Sequence, residues 1–148
     1  MAVKVSPQLH EALALYAELE QAVISAGRRS DPGRKLDLVR ARRKFAEQLG
    51  RIGILIVQDR QLAATPDIQK AMNKHFTTFR YALGQHQADW PAVRIDEDPE
   101  GYARSAWEAY YKSDQFWEWC LANLEVHPPI TTRPDRIVSR DGPRYRTE

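Results

Sequence analysis

The sequence predicts an all-α fold, an antiparallel up-down-up-down four-helix bundle followed by an extended C-terminal arm. Two observations carry this. A short polar residue precedes proline at Ser6-Pro7, Asp31-Pro32, Thr65-Pro66 and Asp98-Pro99, and behind each dipeptide apolar residues recur at intervals of three and four. The polar side chain suits the orphan N–H groups of a helix start, and proline's fixed φ and missing N–H suit the first turn. The spacing is that of a helix, and no alternating run competes for a strand.

The elements follow in order. The first helix is predicted near residues 7 to 27, stopping at Gly27. The second spans about 33 to 63 and contains "GRIGILIV", where Gly50 and Gly53 permit close helix contact or mark a bend; its far end is expected to overhang its partners. The third covers 66 to 88 and the fourth 99 to 124. The connections around 27 to 32 and 87 to 98 are short enough to make neighbours antiparallel. After Leu124 the composition changes, with four prolines and five arginines and no helical period. Residues 1–124 are therefore read as the bundle and 125–148 as an arm. The arm's Val126, Ile130, Ile137, Val138 and Tyr145 predict that it lies in a groove, across Phe116 and Trp119 or on a neighbouring subunit.

A chain of 148 residues is long enough to bury a core as one unit. Its 43% hydrophobic and 28% charged residues are those of a folded domain and not of a disordered chain. A net charge of +2 excludes a general polyanion binder, so only local charge can act. Cys120 is the only cysteine, which excludes an internal disulfide and a thiolate-rich metal site and points to a reducing compartment. No signal-length or membrane-spanning apolar run occurs, and the expected location is the cytoplasm without membrane insertion.

The fourth helix holds more large rings than one buried stripe accommodates. Ala103, Ala106, Tyr110, Trp117, Leu121 and Leu124, with Ser113 between them, form the predicted core stripe. Trp107 falls at its margin, Tyr111 to one side, and Phe116 with Trp119 on the opposite flank. Two readings stand beside each other: the arm or the overhanging second helix covers these rings, or they anchor a protein partner, as Trp and Tyr commonly do.

Charge is segregated as well. Arg28 to Lys44 carries eight basic residues against two acids, whereas Asp96 to Glu118 carries seven acids against two bases. In an up-down topology both stretches begin at the same end, where they match internally, pair between subunits or hold phosphate. Glu20 and Arg42 fall on core-facing stripes at similar depth and are predicted to form a buried ion pair that fixes register.

His75 and His86 share a stripe with Ile68, Met72, Phe79 and Ala82, but they stand about 16 Å apart and cannot hold one metal ion. No Glu-x-x-His pair, glycine-rich phosphate loop or nucleophile elbow is present, so no metal and no cofactor is implied. Cys120 lies mid-helix among apolar residues, the setting of an inert thiol.

These readings favour a non-enzymatic adaptor or structural subunit that binds a protein partner or itself. Its contact residues would be Tyr111, Phe116 and Trp119, the basic Arg40, Arg43 and Lys44, and the arm's Arg133 and Arg136. One alternative is a nucleic-acid-associated protein using residues 28–44. Another is a helical bundle that holds a small ligand among Trp107, Tyr110, Trp117 and His75, or that accepts a phosphoryl group on His75.

Overall fold

The structure, a computed structural model, describes residues 2–126. Five α-helices make up most of it: α1 (Pro7–Arg28), α2 (Arg34–Gln58), α3 (Arg60–Ala63), α4 (Pro66–Asp89) and α5 (Pro99–Asn123). A 3-10 turn, Ala92–Glu97, lies between α4 and α5. The described residues are all-helical and form no strand; one isolated bridge joins Val3 to Leu124.

Proline begins α1, α4 and α5 at the expected dipeptides. Only Asp98 also caps with its side chain, accepting from the Gly101 N–H at 3.0 Å. At the second site the helix starts later. The Asp31 carboxylate accepts from the Gly33 N–H at 3.1 Å, its carbonyl accepts from the Arg34 N–H at 3.1 Å, and α2 follows. The turn chemistry was local enough to read, but glycine takes the cap position.

The predicted run from 33 to 63 is broken, and the expected overhang does not form. α2 ends at Gln58, and Asp59 is extended, with φ −69° and ψ 121°. Its buried carboxylate accepts from the Leu62 N–H and from the Ser6 N–H, both at 2.9 Å. One side chain thus starts α3 and pins the far corner of α2 to the beginning of α1.

The long helices pair antiparallel. Gln48 of α2 donates to the Ala12 carbonyl of α1 while Tyr16 meets Phe45, so the number falls in one helix as it rises in the other. The same holds for α2 with α4, where Gln69 donates to the Ile56 carbonyl and Arg42 to the Trp90 carbonyl. In α4 and α5, His86 meets Ser105 and Phe76 meets Phe116. The C-terminal end of α5 lies at the level where α1 starts: Val3 donates to the Asn123 carbonyl at 2.9 Å and Glu125 donates to the Val3 carbonyl at 2.8 Å.

Tyr16 is the hub of the core. Its ring centroid lies 5.5 Å from Phe45, 6.0 Å from Phe79, 5.9 Å from Phe116 and 5.1 Å from Trp117, so α1, α2, α4 and α5 all reach it. Its hydroxyl, 2.6 Å from the Ser113 oxygen, donates to it, and Ser113 donates in turn to the buried Glu20 carboxylate. An apolar centre and a polar relay thereby share one residue, which satisfies groups that would otherwise be costly to bury.

The predicted stripe of the last helix is buried at Ala103, Ala106, Tyr110, Ser113, Trp117 and Leu124, and the packing corrects it at Leu121 and Phe116. Phe116 and Cys120 are fully buried, while Leu121 is 46% exposed. α5 presses against α4 on one side and meets Tyr16 on another, so its buried arc is wider than a single stripe and is turned toward α4. Glu20 and Arg42 also depart from expectation. Both stand on inward faces, yet Glu20 takes the Ser113 hydroxyl and Arg42 takes the Trp90 carbonyl at 2.8 Å.

Candidate functional site

The outer surface of α4 and α5 carries a shallow groove of about 490 Å3, bounded by Tyr81, Gln85 and Asp89 of α4 and by Trp107, Glu108 and Lys112 of α5. The antiparallel pairing that sets His86 against Ser105 brings these residues to one face. Tyr81 is 71% exposed and Tyr111, also in the groove wall, is 38% exposed. Trp107 is partly buried and stacks on Tyr111, with centroids 5.4 Å apart and planes 15° from parallel. The spacing of four residues places the two rings one above the other on the helix. The Trp107 indole N–H is buried without a hydrogen-bond partner among the described residues.

His86 forms part of the floor. Burial, helped by the nearby Arg42 charge, pushes its pKa down to about 3, so the ring is neutral at pH 7. Its Nδ1 lies 2.7 Å from the Ser105 hydroxyl, and its ring packs 5.4 Å from that of Tyr102. A buried neutral imidazole with a satisfied nitrogen acts here as a positioned polar support between two helices.

The predicted site residues do not converge. Trp117 is 2% exposed in the core against Tyr16. Tyr110 is buried, with its ring edge-on to His86 at 6.4 Å. His75, expected on an inward stripe, is exposed and lies beside Trp119 at 5.7 Å. The set Trp107, Tyr110, Trp117 and His75 is therefore spread over the core and two surfaces, and it lines no common pocket. Phe116, read as a surface anchor, is fully buried between Tyr16 and Phe76. Trp119 is partly buried.

Arg40, Arg43 and Lys44 are exposed on one face of α2 and form no ion pair among the described residues. Arg133 and Arg136, with the rest of the arm from 127 onward, lie outside the described residues. The opposite charges of the two stretches do meet at one point. Arg34 donates to Asp96 at 2.6 Å, and Lys35 stands 4.0 Å from the same carboxylate.

Tyr81 is the residue sequence reasoning missed. It lies off the Met72–Phe79 stripe of α4, and an aromatic ring at an outward helical position was the available signal. The described residues contain no group of three or more potential metal ligands, and no described helix is long and apolar enough to cross a membrane. No family model, curated protein or solved structure matches this chain.

Proposed function

We propose that this chain is a non-enzymatic adaptor or structural subunit of the cytoplasm, in which α1, α2, α4 and α5 form an up-down-up-down four-helix bundle and the arm is a separate segment. The α4–α5 face is its contact surface for a protein partner. The observation that carries this reading is the exposure of Tyr81 and Tyr111 in one groove with Trp107. Large rings are costly to leave in water and are the side-chain types that dominate interface energetics. Asp89 and Glu108 against the single Lys112 give the groove a net acidic rim, so the fitting partner presents an apolar patch with basic residues around it. The exposed Arg40, Arg43 and Lys44 support a second reading, contact with a polyanion, because a cluster of cations that form no ion pair among the described residues is the electrostatic footprint of phosphate binding.

A photo-crosslinking residue in place of Gln85, inside the groove, tests the first reading in cells. It is expected to trap one discrete protein, or a second copy of the chain, while the same group at Arg43 does not. Adding Tyr81→Asp and Tyr111→Asp should abolish the adduct without changing helicity. Equal labelling from Gln85 and Arg43, or an adduct that survives both substitutions, would show that the groove is ordinary surface.

A further inference from the structure

Where α1 ends, α2 begins and α5 begins, a cavity of about 180 Å3 is bounded by Gly27, Arg28, Ser30, Arg34, Asp96 and Tyr102. Its size is below the usual range for a drug-sized ligand and suits a single small group. Arg34 is 2% exposed, and its Nε is buried with no hydrogen-bond partner among the described residues. A buried guanidinium N–H without an acceptor is costly, and an incoming anion would repay that cost. Asp96 occupies only one of the Arg34 nitrogens, is 59% exposed, and is shared with Lys35.

The surroundings are positive. The charges of Arg42, Arg34 and Arg28 all act on the largely buried Tyr102 hydroxyl, whose pKa burial raises. Arg29 is already committed, donating to both oxygens of Asp31 at 2.7 Å and to Asp37 at 2.8 Å. Gly27 matters because a Cβ there would collide with the Tyr102 hydroxyl, which reaches this corner only over a bare backbone. Arg34 is also the first residue of α2, whose N-terminus has no side-chain cap, so the helix dipole adds to the guanidinium charge.

We infer that this cavity is a binding site for a small tetrahedral oxyanion, inorganic phosphate or the phosphate of a monoester, held by Arg34 with Arg28, Ser30 and Tyr102 around it. The anion displaces Asp96 from Arg34 and leaves that carboxylate to Lys35 and solvent. Asp96 is then a built-in competitor for Arg34.

The test is isothermal titration of the full chain with inorganic phosphate, in chloride buffer of matched ionic strength, alongside O-phosphoserine. Saturable one-site phosphate binding is expected. Asp96→Asn should tighten it about tenfold, since releasing a charge-assisted hydrogen bond of this kind is worth about 1.4 kcal/mol or more. Arg34→Gln should abolish it, with folding checked by circular dichroism; if that variant does not fold, the exposed Asp96→Asn decides alone. Binding of inorganic phosphate only would define a free-ion site, and comparable O-phosphoserine binding would define a monoester site. Absence of saturable phosphate binding, or an unchanged affinity in Asp96→Asn, would overturn the proposal.

Discussion

Phe116 and Trp119 sit three residues apart on one helix and have opposite fates. Phe116 is fully enclosed by Tyr16, Phe76 and Trp117, whereas Trp119 keeps part of its surface in water beside His75. Removing a buried ring forfeits its transfer free energy and leaves a cavity, so Phe116→Ala should cost ~3–5 kcal/mol. Trp119→Ala should cost clearly less, because water already meets part of the ring. Denaturant melts of both variants check this, and equal losses would contradict the burial pattern. Each ring is obvious in the sequence, but their difference is not, since both fell outside the stripe that hydropathy favours.

Among the elements, the corner between α2 and α3 depends on one carboxylate. Asp59 accepts two backbone N–H groups, that of Leu62 in its own turn and that of Ser6 at the head of α1. The first interaction is a helix cap readable from local chemistry. The second is tertiary, its partners standing 53 positions apart in the chain. Asp59→Ala is expected to lower stability by ~1–3 kcal/mol, because it strips acceptors from partly buried donors. Hydrogen exchange should quicken first at Ser6 and Leu62, with the middle of α2 unaffected. Uniform loss of protection across all helices would mean that the corner is not a separate fastening.

For the whole molecule, the buried His86 links folding to pH. Its pKa is about 3 in the folded chain against an ordinary value of 6.5, chiefly through desolvation and then through Arg42. At pH above 6.5 the ring is neutral in both states and imposes no penalty. As pH falls toward 3 the unfolded chain takes up a proton that the folded chain refuses, so stability declines by about 1.4 kcal/mol per pH unit within that window. His86→Gln should flatten this slope, read from denaturant midpoints between pH 7 and pH 4. An unchanged slope would place the acid sensitivity elsewhere.

What the sequence determined by itself was the local grammar. The positions just before proline at Ser6, Thr65 and Asp98 mark real helix beginnings, because proline's fixed φ acts within one turn, and Asp98 adds a side-chain cap. The recurrence of apolar residues set the helical class of every long segment. Tertiary structure decided how wide the buried arc of α5 is, since a helix contacting more than one neighbour buries more than the stripe its own periodicity marks; the stripe from Ala103 to Leu124 is buried as read, but Phe116 turned inward and Leu121 outward. It also separated Glu20 from Arg42 by offering Ser113 to one and the Trp90 carbonyl to the other. The groove of Tyr81 and Trp107, and the cavity around Arg34, are products of pairing between helices distant in the chain. Neither could be read from a single helix, because each wall is polar or aromatic in a way that has meaning only beside the other.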